Sequence, residues 1–204
     1  MITRRHALTL AATGLAALHL GLPGAARAQD GGVTDIVLGD ASAPVKVVEY
    51  ASFTCPHCAD FHADTFPGFK RDYIDTGKVQ FTYREVYFDR YGLWASMIAR
   101  CAGPDRYFGV AGLLYETQGE WARQADPAEV AASLKRIGAQ AGLSPEQADA
   151  CLQDGETAQS LVSWYEANAQ RDGVRSTPSF LVNGEIHSGA MSLEQIGALV
   201  DAEM

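Results

Sequence analysis

Tyr50-Ala51-Ser52-Phe53-Thr54-Cys55-Pro56-His57-Cys58 decides the reading of this chain: an apolar, strand-like run ends, and two cysteines follow two residues apart. Proline is favoured in the first helical turn, where its missing N–H leaves nothing unpaired, so Pro56 predicts a helix opening between the two thiols. At such a helix start the free backbone N–H groups and the dipole stabilise Cys55 as thiolate. Cys58, one turn further in, is expected to be buried and to resolve mixed disulfides. The pair reads as a redox centre.

Upstream, Val45 to Ala51 is apolar on both faces, the pattern of a central strand covered on each side. Glu49 is out of place there, because a buried carboxylate is costly unless it is partnered or protonated. A surface glutamate on an edge strand is the alternative. Asp35 to Gly39 is a shorter strand candidate, joined through the turn Asp40-Ala41-Ser42-Ala43-Pro44.

Downstream, Cys58, Phe61, His62 and Thr65 recur at helical spacing, and Pro67 kinks or restarts that helix. Gly77 stops it, and Val79 to Phe88 alternates as a strand. Some eighty residues of helical pattern follow. Leu93, Met97 and Cys101 share one face; Tyr107, Val110 and Leu114 share another; Val130, Leu134 and Ile137 share a third. Ser144-Pro145-Glu146-Gln147 is a capping box opening a helix with Ala148, Cys151 and Leu152, and a further helix presents Ala158, Leu161, Val162 and Tyr165. Strand character returns at Ser179 to Val182, then the hairpin signal Asn183-Gly184, a strand from Glu185 to Ser188, and a helix capped by Ser192. The order is β, β, α, β, helical block, β-hairpin, α.

Of 204 residues, 47% are hydrophobic and 20% charged, an ordinary globular balance. Arg4 and Arg5 precede an apolar run from Ala7 to Leu22, and Ala26-Arg27-Ala28 offers a signal-peptidase site, so residues 1–28 read as a secretory leader. The run is short and broken by Gly14, His19, Gly21 and Pro23, which argues against a membrane anchor. The paired arginines look like a partial twin-arginine signal, although Ala7 stands where that motif prefers a large apolar residue; the export route stays open. Losing the leader leaves 13 basic against 25 acidic residues, a charge of −12. So acidic a protein is a poor partner for nucleic acid or an anionic membrane surface. Export also places the cysteines in an oxidising compartment, here the periplasm.

Cys101 and Cys151 lie on apolar helical faces of the same block, and a structural disulfide between them is expected, the alternative being two buried thiols. Closing a loop of roughly fifty residues would stabilise the fold by about 4 kcal/mol. A zinc site of all four cysteines fits poorly, because these two are isolated where structural zinc uses close pairs. No metal or cofactor is expected. His62 and His187 show no partner pattern and read as surface or internally satisfied residues; Trp94, Trp121 and Trp164 read as core.

The element order, with Cys55-Pro56-His57-Cys58 after the second strand and Ser176-Thr177-Pro178-Ser179 before the hairpin, resembles the DsbA family of exported thiol–disulfide oxidoreductases. The resemblance runs from about Asp35 to the C-terminus. It implies an α/β protein: a thioredoxin-like fold with an inserted all-helical domain. Residues 29–90 and 174–204 would form the catalytic domain and 91–173 the insertion, covering the motif. It further implies Cys55 as exposed nucleophile, Cys58 as resolving thiol, and Pro178 as a cis-proline beside the disulfide, with Thr177 before it offering backbone to an extended substrate. Glu49 would exchange a proton with Cys58. Pro56 and His57 would set the redox poise, His57 through its N–H and its charge near the sulfur; the alternative is a His57 that is merely solvent-exposed.

The activity implied is donation of a disulfide to unfolded or newly exported cysteine-containing proteins, with reoxidation by a membrane quinone-linked partner and a monomer favoured over a dimer. Thr177 keeps a disulfide isomerase or reductase in view, because threonine before the cis-proline is common among isomerase-type relatives. Against it, those relatives carry an N-terminal dimerisation domain, and only a short lead-in separates Ala28 from the first strand. A periplasmic chaperone with inert cysteines is the reading from another class.

Overall fold

Val45–Ala51 forms the strand (β2) around which the sheet is built, in a computed structural model that describes residues 32–204. The expected secretory leader, residues 1–28, lies outside the described residues. β2 pairs in parallel with β3 (Val79–Glu85), from Val45 opposite Val79 to Ala51 opposite Glu85, and antiparallel with β4 (Ser179–Val182) on its other side. β1 (Ile36–Leu38) and β5 (Glu185–Ser188) close the edges, giving the order β1-β3-β2-β4-β5. Val45, Val47, Glu49, Tyr50 and Ala51 are all sealed from solvent, so β2 is covered on both faces. This is a mixed α/β sheet of thioredoxin-like type.

β3 stops at Glu85, short of the Phe88 that its alternation suggests. Its parallel partner ends at Ala51, whose carbonyl takes a last hydrogen bond from Val86 N–H at 2.8 Å; beyond that no strand remains to pair with, and Phe88 is left 61% exposed. The helix after the motif is also divided. α1 (Pro56–Asp64) ends one residue before α2 (Phe66–Phe69), and a π-helical turn, Lys70–Ile74, completes the passage. Pro67 sits in the first turn of α2, where it has no intrahelical N–H to withhold.

Six helices lie between β3 and β4: α3 (Arg90–Cys101), α4 (Pro104–Glu116), α5 (Gln118–Trp121), α6 (Pro127–Gln140), α7 (Pro145–Gln153) and α8 (Gly155–Arg171). α9 (Leu193–Ala202) follows the hairpin. Asp89, Asp126, Ser144, Asp154 and Ser192 each accept a backbone N–H at a helix start, a cap typically contributing about 1 kcal/mol. Ile98, Tyr107, Val110, Leu114, Val130 and Leu134 knit α3, α4 and α6 into the main core. Trp121 is buried, its Nε1–H donating to Leu114 O at 2.8 Å, and Trp164 is nearly so; Trp94 is only half-buried beside Tyr91.

Two links fasten the block. Arg100 on α3 makes two 2.7 Å hydrogen bonds to the Glu85 carboxylate at the end of β3, which also accepts from Tyr107 at 2.8 Å. Cys101, the last residue of α3, and Cys151 on α7 are joined by a disulfide, with their Cα atoms 6.3 Å apart.

Candidate active site

β2 ends at Ala51, and the next four residues deliver Cys55 to the N-cap of α1 with extended φ/ψ of −84° and 119°. The Cys55 carbonyl already accepts the N–H groups of Cys58 and Ala59 at 3.2 Å, so the first turn is closed while the Cys55 side chain stands outside it. Cys55 is nevertheless only 8% exposed, not the exposed nucleophile expected, because the Thr177–Pro178 segment and Gln118 close over it from opposite sides. Phe53 anchors the loop, stacked on Tyr83 with centroids 5.6 Å apart. Gln118 reaches over from α5 and donates to the carbonyls of Phe53 and Cys55 at 2.8 and 3.0 Å. Thr54 donates to Asp89, the cap of α3, at 2.8 Å. The helical block therefore grips the motif from one side.

The other side is formed by the chain entering β4. The Thr177–Pro178 peptide bond is cis, and the Cys55 thiol donates to the Thr177 carbonyl at 3.6 Å. The Cys55 thiol is held down at about 5, chiefly by a hydrogen bond from the Cys58 thiol. Burial opposes this, and the Thr177 hydroxyl and the backbone N–H groups of Cys58 and His57 add to it. Cys58, with no exposed surface, is pushed far up by burial, by sharing its proton with the Cys55 sulfur, and by the nearby Glu49 charge. One sulfur is thus poised as thiolate and its neighbour as thiol. That asymmetry suits attack and departure at Cys55 and proton transfer at Cys58.

His57 departs from the expectation of a ring charge near the sulfur. Its imidazole is 76% exposed and faces Asp60 at 3.8 Å. At the second position of a helix the N–H points along the axis and the side chain points outward, so only the backbone of His57 reaches the Cys55 sulfur. Pro56 occupies the first helical position.

Glu49 lies in the interior on β2 and is not alone. His62, read from sequence as a surface or internally satisfied residue, is the latter: its side chain is buried on α1 and places Nε2 at 2.9 and 3.2 Å from the two Glu49 oxygens. The available signal was its spacing: His62 follows Cys58 by one turn on the face that Phe61 also packs inward. What the spacing could not reveal is that β2 passes beneath with a carboxylate. His187 stays half-exposed on edge strand β5. The Cys101–Cys151 disulfide is remote from the motif, since Asp89 caps one end of α3 and Cys101 is its other end, about 18 Å away for twelve residues. Among the described residues, no group of three or more His, Cys, Asp or Glu is arranged to hold a metal ion, and no helix is long and apolar enough to cross a membrane.

A family model described as Thioredoxin matches residues 32–202. A Rickettsia typhi protein provisionally named protein-disulfide oxidoreductase is 34% identical over 82% of this chain and 61% of its own length. The chain therefore spans about three fifths of that relative. Disulfide bond formation protein D of Bacillus subtilis is 30% identical over 82% of this chain and 76% of its own. Among solved structures, alpha-DsbA1 of Wolbachia pipientis aligns with a TM-score of 0.75 at 28% identity, covering 83% of this chain and 90% of that one. Oxidised BdbD of Bacillus subtilis aligns at 0.72 and 25%, covering 83% and 92%.

Proposed function

The chain belongs to the thioredoxin family, in its DsbA-like branch with a helical insertion, and from that premise we propose that it is an exported thiol:disulfide oxidoreductase that introduces disulfides into periplasmic or secreted proteins. The observation that carries the reading is the placement of Cys55 at a helix start, its thiol held near 5, against a cis peptide and one turn from a buried, protonated Cys58.

In the forward direction a substrate thiolate attacks the Cys55 sulfur of the Cys55–Cys58 disulfide. The S–S bond breaks, its electron pair stays with Cys58, and Cys58 takes a proton; a mixed disulfide joins Cys55 to substrate. A second substrate thiolate then attacks the substrate sulfur, and Cys55 departs as the stable thiolate, a good leaving group. Two electrons end on the protein and one disulfide on the substrate. Thr177 and Pro178 supply the backbone beside which an extended substrate segment lies, as in strand addition. Glu49 serves Cys58 as the proton reservoir. A membrane quinone-linked oxidase would restore the disulfide, and the basic and apolar leader supports delivery to the periplasm, where that oxidase would be met.

The Thr177 hydroxyl beside Cys55 supports a second reading, reductive or isomerising work on substrates that already carry disulfides. Mixing oxidised protein with an equimolar reduced dithiol peptide separates the two. We expect near-stoichiometric peptide disulfide and reduced Cys55 and Cys58. A peptide left reduced, with the reverse mixture of reduced protein and oxidised peptide running to completion, would turn the assignment to the second reading.

A further inference from the structure

The pair formed by Glu49 and His62 has side-chain exposures of 0% and 6%. The carboxylate has given up water entirely and the imidazole nearly so, and each finds in the other the polar partner that burial demands. The far side of the imidazole stacks on Tyr115 of α4 at 4.3 Å. Beside it opens a cavity of about 430 Å³ between α1, α2 and α4, walled by Ala59, Phe66, Phe108, Tyr115 and His62 itself, with exposed Gly112 and Glu116 at its mouth. His62 thus stands between solvent in the cavity and a carboxylate whose charge acts on Cys58.

The groups around His62 limit which of them can pass a proton to Cys58. Glu49 faces it from β2, Tyr83 from β3 at 5.9 Å, Tyr115 from α4, Cys58 lies one turn back on α1, and Lys70 and Glu116 line the cavity. Tyr83 and Tyr115 bond to each other at 2.6 Å, and burial drives both phenols well above their usual range. They stay protonated. Lys70 ion-pairs with Asp75 at 2.6 Å on the outer surface. Glu49 and His62 are left to exchange protons with Cys58.

We propose that His62 is a positioning residue for disulfide exchange: through Nε2 it fixes the Glu49 carboxylate and relays between Glu49 and water in the cavity the proton that Cys58 gains and loses. The role rests on the reading of Cys55–Cys58 as a disulfide-exchange centre. When the Cys55–Cys58 bond opens, the Cys58 sulfur keeps the electron pair and takes a proton from Glu49; His62 passes one to Glu49, and cavity water reprotonates His62. On closure the Cys58 thiol returns its proton along the same path as its sulfur attacks Cys55 of the mixed disulfide, and the substrate thiolate leaves. Atoms, charge and electrons balance with water as the only other participant.

The step to measure is closure, since it must deprotonate the buried Cys58. Protein carrying glutathione on Cys55 is jumped to a series of pH values, and glutathione release is followed. His62→Gln keeps an N–H donor for Glu49 but cannot relay a proton. We expect its closure at pH 7 to slow on the order of tenfold, less than loss of a directly acting acid or base because Glu49 remains, with a changed pH profile and unchanged alkylation of Cys55 in the reduced protein. In His62→Ala, which opens the ring's place to the cavity, added imidazole should restore part of the rate. Wild-type closure and pH profile in His62→Gln, or no response of His62→Ala to imidazole, would overturn the role of His62 alone. Failure of the wild-type protein to close would overturn the disulfide-exchange reading and this role together.

Discussion

Cys55→Ser is expected to reduce peptide oxidation to the uncatalysed background while leaving the fold intact, with a melting point below that of the reduced parent because the thiolate stabilised in the folded state is lost. Serine is nearly isosteric, so it can fill the place of Cys55, which is 8% exposed and packs with the main core at the start of α1. Its backbone duties, the bonds from Cys58 and Ala59 N–H and from Gln118, need only its carbonyl. The chemistry is another matter: an alcohol forms no disulfide, and it is not ionised at neutral pH, whereas the Cys55 thiol near 5 is almost wholly thiolate there. Cys58→Ser should behave differently, since the Cys55 thiolate survives but nothing can resolve its adducts; mixed disulfides should accumulate and be visible by mass spectrometry without reduction. Oxidation retained in Cys55→Ser would place the activity elsewhere.

Replacing Cys101 and Cys151 together by alanine should cost about 4 kcal/mol of stability, the loop-closure entropy released when a crosslink over 50 residues is removed. For a chain of this size that corresponds to a fall in melting temperature of roughly 8–16 °C. The disulfide holds the C-terminal end of α3 to α7, a helix length from the motif, so the reactivity of Cys55 should persist below the new melting point. Melting curves on non-reduced protein, paired with Cys55 alkylation rates, check both halves. A midpoint within 2 °C of the parent would mean that the crosslink does not constrain the unfolded chain in the way its span implies.

What the sequence disclosed was local. A run apolar on both faces marked β2; Ser144 and Ser192 announced their helices because a capping box needs only four consecutive residues; Asn183-Gly184 declared its hairpin, and both residues adopt positive φ, 45° and 93°. What it withheld depends on partners distant along the chain. The Glu49–His62 pair spans 13 residues and two element types, and the Glu85 cluster collects Arg100 and Tyr107 from two helices. β3 ends early because β2 does, which no reading of residues 79–88 alone can supply. α5, with four residues, has no period to detect, although Gln118 clamps the motif from it. His57 misled for a geometric reason: adjacency in sequence to two cysteines is not adjacency of its ring to their sulfurs.

The central claim is that one stabilised thiolate makes the Cys55–Cys58 couple oxidising, and its most direct test is the reduction potential in glutathione buffers across pH. Cys55 is lowered from 9.0 to about 5, so it is thiolate above pH 5 and thiol below it, while Cys58 remains a thiol throughout. Relative to an unperturbed pair, two pH units of ionisation at pH 7 raise the potential by up to about 60 mV, less what solvent screening removes on the open side of the sulfur. Reduction then consumes one proton per two electrons above pH 5 and two below it, so the potential should fall by about 30 mV per pH unit above pH 5 and about 59 mV below it. The account predicts that break in slope and a value at pH 7 some tens of millivolts less negative than the roughly −270 mV typical of thioredoxin. A potential near the −270 mV typical of thioredoxin, with a slope of about 59 mV persisting through neutral pH, would contradict it.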